Sequence, residues 1–194
     1  MTNDTSGINT KITVNGENLE TVTSFMFLGS VITDEDSKLE ILSMIAKTTA
    51  ALTRLKPVRN DRSISLISKI RLMRCLVASI FLYACESWTL TAELQRRIQT
   101  MELRCYRKIL SISYKDHVTN EEVRAKIQQA IRPRKNLTFI KRRKLQWYDH
   151  VFRSSGLAKT ILQGTVKGGR RQGRQRKRWE DNSGEWTGLE FGKS

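Results

Sequence analysis

The chain of 194 residues has little of what breaks or cross-links a fold, with two prolines and three cysteines. So few prolines, beside eleven glycines, argue against a low-complexity chain. Cys75, Cys85 and Cys105 are odd in number, lack paired spacing and sit inside apolar helical patterns. That excludes a disulfide framework and favours a reducing compartment. Long hydrophobic runs are missing too. The longest, Cys75 to Cys85, is far short of a membrane span, and no signal-peptide pattern opens the chain. The expectation is a soluble intracellular protein of the nucleus or cytoplasm, with no membrane partner. Nor is there a Gly-x-Gly-x-x-Gly, a P-loop, a Gly-x-Ser-x-Gly or a His-Glu-x-x-His motif. With two histidines in all, Cys105, His117 and His150 lack the Cys-x-x-Cys half of a zinc finger. No metal, cofactor or small-molecule substrate is expected. The acid pairs Asp34/Asp36 and Glu121/Glu122 stand at apparent helix starts, where capping and the helix dipole account for them. Glu86, alone in an apolar run, reads as the partner of a basic residue on the next helix.

Acids are scarce in one particular stretch. Between Ile131 and Arg178 there are sixteen Lys and Arg against one acid, Asp149, a local balance of +15 in a chain of net charge +16. Residues 1–40 are acidic, 41–130 moderately basic and 179–194 acidic again. This asymmetry describes a near-neutral body with one polyanion-binding side. Neutralising phosphates and releasing their counterions is strongly favourable for charge so dense. The basic residues are also interleaved with Trp147, Tyr148, Phe152 and Trp179, as in nucleic-acid binders.

Periodicity gives a coarse map. Residues 1–10 are polar and are expected to be disordered. Lys11–Val14, Asn15-Gly16 and the following ENLETV predict a two-residue hairpin, and Phe25–Thr33 a third strand broken by Gly29. A helix capped by Asp34 or Asp36 carries Leu42, Ile45, Thr49 and Leu52 on one stripe up to Pro57. From Ser63 a longer helix, apolar nearly all round, places Ile64, Ile67, Ile70, Leu76, Ile80 and Tyr83 at the centre of a bundle. A helix after Thr91 aligns Leu94, Ile98, Met101, Cys105, Ile109 and Ile112. One from Asn120 aligns Val123, Ile127 and Ile131. Another, capped by Asn136, is expected to bury Leu137, Ile140, Trp147 and Val151. The arm Gly164–Lys177 has too many glycines and like charges to hold a helix unaided. Trp179–Trp186 reads as a short amphipathic segment that docks back. The fold class is therefore mainly α: a helical bundle with a short N-terminal β segment and a basic, partly disordered C-terminal arm.

Five ordered motifs carry a resemblance over about Ile12 to Trp186. They are FMFLGSVIT, SIFLYACESWTL, RRIQTMELRCYRKILSISYKDHVTNEEV, RRKLQWYDHVFR and ILQGTVKGGRRQGRQRKRWEDN. Together they resemble the C-terminal part of non-LTR (LINE-type) retrotransposon reverse transcriptases, on the RTE/BovB branch. The resemblance implies that Phe25-Met26-Phe27-Leu28-Gly29-Ser30 corresponds to the primer grip, with Phe27 in place of tyrosine. Phe25, Phe27, Leu28 and Gly29 are its site residues. The helices after it would correspond to the thumb, which tracks the primer–template duplex. The family's Trp-x-Gly-His-Val stands here as Trp147-Tyr148-Asp149-His150-Val151, with Asp149 for glycine, and Ala84 replaces a common glycine. The resemblance also implies that the catalytic Ala-Asp-Asp turn and the endonuclease domain lie upstream of Met1. The chain is then expected to be a polymerase fragment and not an enzyme on its own.

The expected organisation is a β segment at 11–33, a thumb-like bundle at 36–116, a basic nucleic-acid-binding region at 117–186 and a disordered tail at 187–194. The partner is RNA, DNA or their hybrid, held mainly through phosphate with little sequence readout. The candidate phosphate contacts are Lys141, Arg142, Arg143, Lys144, Arg153, Arg170, Arg171, Arg174, Arg176, Lys177 and Arg178. Trp147 and Trp179 are candidate stacking platforms, Trp147 alternatively a core residue. His150 reads as capping or touching phosphate, alternatively as a core histidine. A protein–protein module with the arm on an acidic partner, and a translated relic without function, stand as alternatives.

Overall fold

A computed structural model describes residues 13–14, 16–18, 22–33, 37–131, 135–154, 159 and 177–188. The chain divides into two compact units, Met1–Glu35 and Asp36–Ser194. Among its described residues the first holds two antiparallel hairpins. In one, β1 (Thr13–Val14) pairs with β2 (Glu17–Asn18), Val14 opposite Glu17, and Gly16 turns at φ 84°. In the other, β3 (Ser24–Phe27) pairs with β4 (Ser30–Thr33). Phe25–Thr33 is therefore a hairpin and not the single strand expected. Leu28 and Gly29 both take positive φ, 48° and 83°, the signature of a type I′ turn. A Cβ on Gly29 would meet nothing within 4 Å, so glycine serves the backbone angle alone. Phe25, Met26, Phe27, Leu28 and Ile32 are exposed.

The second unit is helical. Helix α1 (Lys38–Arg54) starts one to three residues later than Asp34 or Asp36 would have it, at Ser37. It buries Ile41, Met44, Thr48 and Leu52. The core stripe is displaced by one residue from the expected Leu42, Ile45 and Thr49, which are only half-buried. Leu55 closes α1 and a short α2 (Lys56–Asn60) takes Pro57 in its first turn, where the missing N–H costs nothing. Asp61 Oδ1 then accepts from both the N–H and the hydroxyl of Ser63, forming a turn. Helix α3 (Leu66–Leu72) is capped by the Ser65 hydroxyl, which accepts from Ser68 N–H at 3.2 Å. It runs into a π-helical turn, Met73–Val77, and then α4 (Ala78–Phe81). This segment is not apolar at every contact: Ile70, Met73, Val77 and Phe81 are buried, whereas Ile67, Leu76, Ile80 and Tyr83 face solvent.

Helix α5 (Ala92–Ile109) begins at Thr91, whose hydroxyl accepts from Leu94 N–H, and buries Leu94, Ile98, Met101, Cys105 and Ile109 as its spacing predicts. Helix α6 (Asn120–Ala130) opens with a capping box between Thr119 and Glu122 and buries Val123 and Ile127. Helix α7 (Asn136–Arg153) follows, and α8 (Trp179–Thr187) returns to the body. Asn136 is the first helical residue of α7 and not its cap; its N–H donates to Glu102 Oε1. One core runs from Ile41 through Phe81, Trp88, Leu90 and Ile98 to Val123 and Ile140, so helices on both sides of residue 117 share it. The fully buried Trp88 meets Phe81 edge-on, ring centroids 5.4 Å apart. The protein is thus mainly helical with a short N-terminal β element.

Candidate nucleic-acid interface

Helix α7 buries Ile140, Lys144, Tyr148 and Val151, with Leu137 partly covered. The spacing is helical, but its middle position is a lysine, which hydropathy patterning assigns to solvent. Lys144 is 0% exposed. Its Nζ donates to the Trp88 carbonyl at 2.8 Å and to Asn182 Oδ1 at 3.0 Å, and lies 4.3 Å from the Trp179 ring centroid. Asn182 completes the junction. Its Oδ1 also accepts from Leu90 N–H at 2.7 Å, and its Nδ2 donates to Leu90 O at 2.9 Å. Burial, and then the charge of Lys177, pull the Lys144 ammonium down to about 7, against Asp181 and Glu185. Lys144 is therefore a structural pin between α7, the 88–90 segment and α8, and its amine is closed to phosphate.

The aromatic residues form one cluster. Trp147 and Trp179 meet edge-on at 5.1 Å, while Tyr148 stacks on Trp179 at 6.0 Å and on Phe152 at 5.9 Å. The Trp179 indole N–H donates to the Glu86 carbonyl at 2.8 Å. Trp179 is thus spent on docking α8, as the amphipathic reading of Trp179–Trp186 expected, and is not a free stacking platform. Trp147 is 41% exposed, against its expected place in the buried stripe. Tyr148 takes that place because the stripe passes through Lys144.

The remaining candidates divide by position. Arg142, Arg143 and His150 are exposed on α7. Arg153 is exposed and ion-paired with Asp149 at 2.7 Å, one helical turn away. Lys141 is half-buried, with its ammonium 4.9 Å from the Trp186 ring centroid. Lys177 pairs with Glu185 at 2.7 Å, and the exposed Arg178 gives its backbone N–H to Asp181. Arg170, Arg171, Arg174 and Arg176 lie outside the described residues. Phe25, Phe27, Leu28 and Gly29 belong to the β3–β4 hairpin of the N-terminal unit.

A concavity of about 1060 Å³ opens beside α7. Arg74 and Cys75 reach it from the π-helical turn, Tyr83 and Glu86 from the segment after α4, and Phe139 and Arg143 from α7. Glu86 does not form the expected pair with a base of the next helix. Among the described residues it has no ion pair, and it only lines the same hollow as Arg74 and Arg143, which lie on the preceding π-helical turn and on α7. Its carboxylate accepts from Cys85 Sγ at 3.8 Å. Nothing in the sequence marked Arg74, Tyr83 and Phe139 as lining one hollow, because their stretches read as core or as plain helix. Nothing marked Asn182 because a lone asparagine gives no periodic signal.

Cys75 is exposed, while burial pushes the thiols of Cys85 and Cys105 up to about 12 and about 11. Among the described residues, no three His, Cys, Asp or Glu side chains converge as a metal site, and no helix is long and apolar enough to cross a membrane. Comparison with family models, curated proteins and solved structures finds no match to this chain.

Proposed function

We propose that the protein binds RNA, DNA or their hybrid without catalysis, through phosphate contacts that carry little sequence information. The observation that carries this reading is the charge: +15 between Ile131 and Arg178, with Arg142, Arg143, His150 and Arg153 on the solvent side of α7. A cationic helix face continued by a Gly/Arg-rich run is suited to following a phosphate backbone. The resemblance of its five motifs supports an origin in the C-terminal part of a non-LTR retrotransposon reverse transcriptase. On that reading the thumb-like helices and the basic stretch hold nucleic acid, and no residue of this chain does polymerase chemistry.

The test is fluorescence-anisotropy binding of the full chain to a structured RNA, a DNA duplex and an RNA–DNA hybrid across a salt series. Log affinity should fall linearly with log salt, by about 0.9 per phosphate contacted on duplex DNA. Replacing Arg170, Arg171, Arg174 and Arg176 together by glutamine should flatten that slope. Charge replacement is preferable to truncating the arm, because truncation would remove α8 and strip Asn182 from the core. Equal affinity for an acidic polypeptide would sink the reading. The exposed apolar residues of β3–β4 favour a second reading, in which the N-terminal unit contacts another protein.

A further inference from the structure

The concavity beside α7 is at the upper end of the size of ligand sites, roughly 300–1,000 Å³. Its lining combines guanidinium groups with rings. Arg143 keeps its guanidinium carbon 5.6 Å from the Phe139 ring centroid and its Nη1 3.5 Å from the Leu82 carbonyl, which holds an exposed cation beside the opening. Tyr83 is 48% exposed in the same hollow. Arg74 arrives on the π-helical turn, a local geometry found often at functional sites. Glu86 is the one acid among the described lining residues.

We infer that this groove takes a single-stranded stretch of nucleic acid, with an unpaired base stacked on Tyr83 and a phosphate at Arg143. The inference rests on the nucleic-acid reading above and adds the form of the ligand and its place. A duplex keeps its base faces inside the stack and could offer only phosphate, leaving the rings unused. A single strand presents base faces and phosphates together, and a groove of cations and aromatic rings matches both. An acidic peptide would engage Arg143 but leave the rings idle. Glu86 opposes phosphate at this site and so limits affinity.

The experiment uses the full chain at roughly 0.15 M salt. Its probes are an unstructured RNA strand, a DNA strand of the same length, a DNA duplex and a polyglutamate peptide. Tyr83→Ala should weaken binding of both strands about tenfold, the loss of one stacking platform, and leave the duplex unchanged. Tyr83→Phe, which keeps the ring, should bind as the parent does. Arg143→Glu should weaken strand binding further, and Glu86→Gln should tighten it. Thermal melting identifies any variant that fails to fold, and Tyr83→Phe with Glu86→Gln then carry the test. If the parent binds strands but Tyr83→Ala and Arg143→Glu bind them equally well, or Glu86→Gln leaves affinity unchanged, the groove is not the site while the general reading survives. Tighter binding of polyglutamate than of either strand also overturns it. If the parent binds no nucleic acid, the general reading falls first.

Discussion

Ala84 sits at φ 53° and ψ 21°, in the left-handed region, between Leu82 and the short 3₁₀ turn Cys85–Ser87. Alanine in this conformation crowds its Cβ against the following carbonyl, and glycine does not. Ala84→Gly should therefore stabilise the protein by about 1 kcal/mol, read as a higher urea midpoint at unchanged slope. Asn182 presents the opposite case. Three buried groups depend on its amide: Leu90 N–H, Leu90 C=O and the Lys144 ammonium. Each buried group left unsatisfied costs about 1–3 kcal/mol, so Asn182→Ala should destabilise by about 3 kcal/mol or more. A loss under about 1 kcal/mol in the same urea titration would show that water replaces the amide.

Among the elements, α7 and α8 hold each other through a charge that folding disfavours. The Lys144 ammonium falls from its ordinary 10.5 to about 7 on burial. Between those values the unfolded chain binds more protons than the folded one, so this group makes stability rise with pH. Its burial costs most below about pH 7, and the cost fades toward pH 10.5. Urea midpoints of the parent should increase between about pH 7 and pH 9.5. Lys144→Met, which fills the same space without charge, should remove most of that increase and stay folded at pH 7. The Asp149–Arg153 pair on the far side of α7 is exposed, so Arg153→Ala should change stability by less than about 0.5 kcal/mol.

For the molecule as a whole, the charge asymmetry and the single helical core make separate claims. The core predicts thiol behaviour: in native buffer an alkylating reagent should modify Cys75 alone, with Cys85 and Cys105 reacting only once urea unfolds the chain. Mass spectrometry of the quenched reaction gives the count directly. The charge predicts solution behaviour, with nucleic-acid affinity that weakens by orders of magnitude as salt rises. The groove variants then separate local recognition from this general attraction.

The helices and most of their inward faces were legible along the chain. Thr91 as a cap, the Leu94-to-Ile109 stripe and Val123 with Ile127 follow from local spacing and side-chain chemistry, which need no partner to be seen. The mainly helical class follows for the same reason. Where a helix sits among its neighbours was not legible. Turning α1 so that Ile41 and Met44 face inward, rather than Leu42 and Ile45, depends on what packs against it. The candidate interface was half legible: Arg142, Arg143 and His150 are exposed as a basic helix predicts. Lys144 and Trp179 are not available, because the carbonyls of Trp88 and Glu86, more than fifty residues away in sequence, claim their donors. Composition set the sign and place of the charge. Long-range packing alone chose which cations and rings remain open to a ligand, since burial depends on segments distant in sequence meeting in space.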